Sequence, residues 1–185
     1  MIFKANQGEG KSGSFFFHSN DRKFIIKTLK GKEKVILLNM LDDLFEHFRN
    51  NKGSLLTRIY GIFTIKSQYF DPVDLIIMRN TAYVENQNEK MVFDIKGSTK
   101  GRLTKLPDKR FSKVNFNQNS VLKDLNFLKI NKDWDNTLLQ LSRDDRDKLL
   151  SNIKKDSEFL RQKGLMDYSL LVVIEKLNPK VQLNL

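Results

Sequence analysis

The sequence predicts an α+β fold in two lobes, an antiparallel sheet with an inserted helix followed by a second lobe with its own strands and a long helix. Three observations carry that prediction. Short runs of β-branched and aromatic residues, bounded by Asn, Asp, Gly and Pro, recur through the first eighty residues. Apolar residues return at helical spacing in residues 32–49 and again in 142–163. Between these regions lies a polar segment, Arg79 to Lys90, suited to joining lobes of residues 1–90 and 91–185.

Each element has its own warrant. Residues 14–18 and 23–29 read as a strand pair around the turn Ser19-Asn20-Asp21-Arg22. Residues 32–49 read as one amphipathic helix with Val35, Leu38, Leu41, Phe45 and Phe48 along its apolar stripe, ended by Asn51-Lys52-Gly53-Ser54. Ile59 to Ile65 and Val73 to Met78 are two further strands, turning near Asp71-Pro72. Met91 to Ile95 is a strand that runs into Lys96-Gly97-Ser98-Thr99, followed by a basic, irregular stretch. Ser142 suits the N-cap of the long helix, and Gly164 suits its C-cap. The helical stripe there is Leu149, Leu150, Ile153, Phe159 and Leu160, and the loop Leu165 to Ser169 leads into a last strand, Leu170 to Glu175.

Composition excludes several classes. There is no cysteine, so neither a disulfide framework nor a thiolate metal site is available, and His18 and His47 make a poor metal set. No apolar run approaches the roughly eighteen residues that a membrane-spanning helix needs, and the first residues do not resemble a signal peptide. A cytoplasmic location is therefore expected. The formal net charge of +11 attracts polyanions, and composition alone does not choose between a true anionic partner and a generally basic chain. A nucleic-acid partner would rest on charge alone and is not expected. Phe15-Phe16-Phe17 imitates a stacking platform, but such runs more often fill a core.

Gly8-Glu9-Gly10-Lys11-Ser12-Gly13 satisfies G-x-G-x-x-G. A dinucleotide fold requires a strand before such glycines and a helix after, whereas here a strand follows. A P-loop also requires a following helix, and its first glycine would be Ala5. What remains is the turn between antiparallel strands that covers ATP phosphates in kinases, or a tail of small residues. Phe24-Ile25-Ile26-Lys27 has the form of the kinase strand whose lysine reaches those phosphates, although a solvated strand lysine is common in so basic a chain. Phe93 to Arg102 ends a strand in cations, hydroxyls and glycines. That mixture suits phosphate, because Gly lets backbone N–H groups approach while Lys and Arg neutralise charge. Asp167, between a long helix and a strand, stands where a kinase keeps the carboxylate that orients or deprotonates the attacking hydroxyl; a turn-forming role remains the alternative.

Together these segments resemble the phosphatidylinositol phosphate kinase family. Phe93-Asp94-Ile95-Lys96-Gly97-Ser98-Thr99 resembles its Y/F-D-L-K-G-S motif, and Met166-Asp167-Tyr168-Ser169-Leu170-Leu171 is identical to its M-D-Y-S-L-L motif. Ser12 to Phe17, Phe24 to Thr28, Leu55 to Gly61 and Lys123-Asp124-Leu125-Asn126-Phe127 follow as landmarks in family order, so the likeness spans nearly the whole chain. The resemblance implies a distant relative of the protein-kinase fold, with a truncated second lobe and a basic face that lies on anionic membrane.

The resemblance also implies roles. Lys27 would hold the ATP phosphates beneath the loop Ser12-Gly13-Ser14, to which the glycine motif adds Gly8 and Gly10. Lys96 would stand near the transferred phosphate with Asp94 beside it, Asp167 would be the catalytic-loop carboxylate, and Arg102 with Lys100 would meet the lipid's existing phosphate. The implied reaction is transfer of the γ-phosphate of ATP, with Mg²⁺, to phosphatidylinositol 4-phosphate at its 5-hydroxyl, on the cytosolic face of a membrane. A 4-kinase acting on phosphatidylinositol 5-phosphate is the near alternative, and a truncated, non-catalytic lipid- or protein-binding relative is a third. The family carries a further acidic metal ligand in an I-I-D motif downstream of M-D-Y-S-L-L. No such segment occurs in these 185 residues, so no metal ligand is assigned, and residues 1–185 alone are expected to transfer little phosphate.

Overall fold

The computed structural model describes residues 14–85, 90–106, 120–136 and 138–175, together with the backbone of Ala5–Gln7. The described elements fall into two compact units. One comprises the chain up to Thr81 together with Asp145–Leu165, and the other Ala82–Asp144 together with the chain from Met166. Helices and mainly antiparallel strands are mixed in both, which is the α+β class expected from the sequence.

The first unit is built on a five-stranded antiparallel sheet in the order β1 (Ala5–Gln7), β2 (Phe15–His18), β3 (Phe24–Leu29), β5 (Val73–Arg79), β4 (Ile59–Ile65). Strand β3 is central, and its Lys27 lies opposite Phe16 on one side and Ile76 on the other. The hairpin β2–β3 turns at Arg22, whose φ of 58° is left-handed. Ser19 closes that turn by accepting from the Phe24 N–H at 3.0 Å and donating to Asp21 at 2.6 Å.

The helix expected over residues 32–49 is two helices, α1 (Gly31–Asn39) and α2 (Leu41–Asn50), separated at Met40. Met40 has φ −104° and ψ 3°, and it is buried. The break changes which stripe faces inward. Met40 and Leu44 pack with Leu37, Phe48, Leu56 and Ile59, whereas Val35, Leu38, Leu41 and Phe45 of the expected stripe are exposed. Residues 35–48 hold two interleaved apolar stripes, and periodicity alone does not say which one the fold covers.

Helix α4 (Arg143–Gln162) matches its expected span but packs within the first unit, where Phe159 joins the cluster of Met40 and Leu44. Asp156 sits in the middle of its buried face and meets His47 of α2, Oδ1 to Nε2 at 2.6 Å. Its other oxygen accepts the Leu55 N–H at 2.6 Å, and the His47 ring stacks on Phe159 with centroids 4.4 Å apart. Leu150 of the expected stripe is exposed, because the buried stripe runs through Asp156. The helix stops as expected at Gly164, with φ 67°. The Leu165 N–H reaches the Leu160 carbonyl and the Gly164 N–H that of Arg161, both at 3.0 Å, while Leu160 and Leu165 return to the apolar cluster.

The second unit holds a three-stranded sheet in the order β7 (Leu122–Lys123), β6 (Lys90–Ile95), β8 (Leu170–Glu175). Strand β6 runs antiparallel to β8 and parallel to β7, with Phe93 opposite both Val172 and Leu122. Its alternating Met91 and Phe93 are fully buried with Leu122 and with Ile130 of helix α3 (Asp124–Asp133), and Leu138 packs into the same cluster. Phe93 meets Phe127 edge to face at 5.2 Å. Sequence periodicity did not predict β1, β7 or α3. The first two are short, and α3 carries only Leu125, Phe127, Leu128 and Ile130 as apolar residues among polar ones.

Candidate active site

The residues expected to do chemistry stand in two constellations, one in each unit. In the first unit, Lys27 of β3 points its ammonium at Glu33, with Nζ 3.1 Å from Oε1. Glu33 occupies the first turn of α1, and its second oxygen accepts the Lys30 N–H at 2.9 Å. That backbone bond foremost, and then Lys27 against the opposing effect of burial, holds the Glu33 carboxyl below the usual range. A strand lysine paired with a glutamate on the following helix is the arrangement by which kinases hold the lysine ready for the ATP phosphates. Glu33 was not anticipated. The available signal was its place in the third position of a helix starting directly after the lysine-bearing strand. Ser14 is buried at the entrance to β2, and the Phe15 N–H donates to Thr28 at 2.9 Å. Gly8, Gly10, Ser12 and Gly13 lie outside the described residues.

In the second unit, the strand β6 delivers Asp94, Lys96 and the turn that follows. Lys96 donates through Nζ to Asp167 Oδ1, so the two most specific sequence motifs meet through their charged residues. Lys96 is mostly covered, whereas the Asp167 side chain is 84% exposed. Asp167 also has a left-handed backbone, φ 62°. Few residues other than Gly adopt this conformation, but Asp and Asn do so more readily than others, and it is found at functional loops.

Behind this pair stands a carboxylate that the sequence supplied only as part of a landmark. Asp124, at the first position of α3, accepts through Oδ1 from the N–H groups of Lys96 at 3.0 Å, Gly97 at 2.8 Å and Ser98 at 3.4 Å. Its Oδ2 accepts from Arg102 Nε at 2.7 Å. Gly97 makes this convergence possible with φ 68°, in the region that favours glycine. Burial alone would raise the Asp124 carboxyl, but the Arg102 bond and the backbone N–H donors outweigh it and lower it to about 2. Asp124 thus remains ionised. At residues 96–98 the turn's N–H groups are taken by the protein's own carboxylate.

Arg102 is nearly buried and anchored on two sides. Besides Asp124, its Nη2 donates to the Asp94 carbonyl and lies 3.1 Å from Asp94 Oδ1. That oxygen is buried and forms no hydrogen bond among the described residues, so its contact with Nη2 is an ion pair only. The Asp124 bond first, with Asp94 adding to it against burial, raises the Arg102 guanidinium above its ordinary value. Lys100 is exposed on the adjoining turn. Asn126 completes the support. It is fully buried, accepts from Thr104 and Lys123 N–H groups at 2.8 and 3.1 Å, and donates to the Thr104 carbonyl at 2.9 Å. Among the described residues no cluster of three or more His, Cys, Asp or Glu side chains forms a metal site.

Comparison with known proteins identifies the family. The family described as Phosphatidylinositol-4-phosphate 5-Kinase matches residues 2–185. The chain is 37% identical over 163 residues to phosphatidylinositol 4-phosphate 5-kinase 1 of Arabidopsis thaliana, covering 88% of this chain and 20% of that protein. It is 34% identical over 174 residues to a phosphatidylinositol 4-phosphate 5-kinase of Schizosaccharomyces pombe, covering 91% of this chain and 21% of the relative. A probable phosphatidylinositol phosphate kinase of Dictyostelium discoideum is 33% identical over 165 residues, covering 89% and 21% of the two chains. The chain thus spans about a fifth of the length of the curated relatives it matches. With the match running over almost every residue, the chain belongs to the phosphatidylinositol-4-phosphate 5-kinase family.

Proposed function

We propose that this chain carries the ATP- and phosphoinositide-handling part of a lipid kinase. The reaction transfers the γ-phosphate of ATP to the 5-hydroxyl of phosphatidylinositol 4-phosphate at the cytosolic face of a membrane. The observation that carries the reading is the ion pair between Lys96 and Asp167, which joins the two motifs most specific to the family. Family membership and the names of the relatives support the same reaction class.

In this reading Lys27, braced by Glu33, holds the α- and β-phosphates of ATP beneath the loop containing Gly8, Gly10, Ser12, Gly13 and Ser14. The lipid hydroxyl attacks the γ-phosphorus, the bond to ADP breaks, and Asp167 accepts the hydroxyl proton. Exposure suits Asp167 to that task, and Lys96 beside it neutralises charge gathering on the transferred group. Lys100 from its exposed turn and Arg102 from within its two carboxylates are the cations proposed for the lipid's existing phosphate. Mg²⁺ prefers carboxylate oxygens and supplies charge neutralisation to the phosphates when bound. Of the site's three carboxylates the exposed Asp167 is the one that suits such a cation, whereas the buried Asp94 Oδ1 faces Arg102 and Asp124 is committed to its N–H donors and Arg102. No helix among the described residues is long and apolar enough to cross a membrane, and the proposed action on lipid is peripheral.

The test supplies radiolabelled ATP and vesicles of phosphatidylinositol 4-phosphate or 5-phosphate, side by side, to the full-length protein. Turnover is expected on the 4-phosphate. Asp167→Asn is expected to lower it at least about a hundredfold while leaving ATP-analogue binding nearly unchanged. Preference for the 5-phosphate would reassign the lipid, and turnover indifferent to Asp167→Asn would displace the proposed base.

A further inference from the structure

We propose that Asp124 is a positioning residue of this site, whose single carboxylate locks the Lys96–Ser98 turn to Arg102 and so delivers Lys96 to Asp167. The proposal rests on the lipid-kinase reading, since it assigns Asp124 a part in the same phosphoryl transfer. Three successive N–H groups converging on one point form a nest, a device that elsewhere receives an anionic ligand. Here the anion belongs to the protein. Oδ1 receives Lys96, Gly97 and Ser98, and Oδ2 receives Arg102 Nε.

Two of the residues held by this carboxylate, Lys96 and Arg102, are ones the proposed reaction uses. Lys96 is fixed through its backbone by Asp124 and through its ammonium by Asp167, so the side chain spans a defined gap. Arg102 is fixed by Asp124 at Nε and by Asp94 at Nη2, and its carbonyl returns the support by accepting the Leu125 N–H at 3.0 Å. With the turn's backbone donors filled, phosphate recognition falls to the side chains of Lys96, Lys100 and Arg102, whose placement is what Asp124 controls. A carboxylate that is 8% exposed and yet ionised stays bound to these partners at any physiological pH.

Two variants attack the pair from opposite sides, Asp124→Asn and Arg102→Lys. The second keeps the charge but loses the planar fork. Each is placed in the full-length protein and read in three ways: amide hydrogen exchange at residues 96–98, steady-state turnover on phosphatidylinositol 4-phosphate vesicles, and stoichiometry of ATP-analogue binding. In both variants the three amides are expected to exchange faster and turnover to fall about ten- to a hundredfold, with KM for ATP and binding stoichiometry unchanged. Unchanged stoichiometry means that the lost turnover does not come from unfolded protein. Wild-type exchange in the variants would overturn the lock, and faster exchange with wild-type turnover would overturn the positioning role. If Asp124→Asn does not fold, Arg102→Lys decides on the same readings. A wild-type protein that phosphorylates neither monophosphate would overturn the lipid-kinase reading and the positioning role with it, and slow exchange at residues 96–98 would then mark a lock of structural value alone.

Discussion

Asp124 links the stability of the second unit to pH in a defined window. Its carboxyl is lowered from 3.8 to about 2, so the folded state holds the proton less tightly than the unfolded chain. The stabilisation is fully present above the unfolded value and is lost as pH falls from about 4 towards about 2, amounting to roughly 2 kcal/mol. Melting curves of wild type and Asp124→Asn across pH 2 to 5 are expected to converge at the acid end, because wild type alone loses this contribution. Parallel curves would show that the carboxylate has no depressed value. Lys27 provides the residue-scale test in the first unit. Lys27→Ala is expected to weaken ATP-analogue binding about ten- to a hundredfold, the magnitude of one lost charge-assisted contact. Equal affinities in calorimetry would separate Lys27 from the nucleotide.

Among the elements, α4 is seated by Phe159 and Leu160 in the apolar cluster and by one polar contact set within that face. Asp156 and His47 are both buried, and the same carboxylate also ties down the Leu55 N–H. Asp156→Ala removes that acceptor and is expected to destabilise the protein by about 3 kcal/mol in urea titration, since the remaining partner is buried without it. A change below about 0.5 kcal/mol would mean that Phe159 and Leu160 hold the helix without help. This contact also marks the limit of what sequence patterns reveal. The spans of β4 and β8 and the stop at Gly164 were legible, because period, turn residues and cap chemistry are local. The side of the chain on which α4 packs was not, since it depends on an aspartate that reads as an interruption of the apolar stripe. The break at Met40 was hidden for a similar reason, with two apolar stripes competing for one core. At the site, Lys27, Lys96, Asp94 and Asp167 stood out through motif context. Glu33 and Asp124 did not: Glu33 offered only its place in the first turn of α1, and Asp124 only its place within a landmark.

At the scale of the whole chain, a net charge of +11 acts on any anionic surface. Binding to vesicles containing phosphatidylinositol 4-phosphate is expected and should fall steeply as salt is raised, since exposed cations act through a screened field. Salt-independent binding would point to apolar insertion instead. The chain also passes between its two units three times, after Thr81, after Asp144 and after Leu165. The first unit is therefore discontinuous in sequence, and the second is interrupted by the helix that the first requires. A gene cut after Thr81 would encode the five-stranded sheet without the partner of Met40 and Leu44, leaving that cluster open to water. Ribosomal synthesis imposes the same condition in time. The amino-terminal unit cannot finish its core until Leu165 has emerged, and by then Ala82–Asp144 of the second unit has been made as well, still waiting for β8.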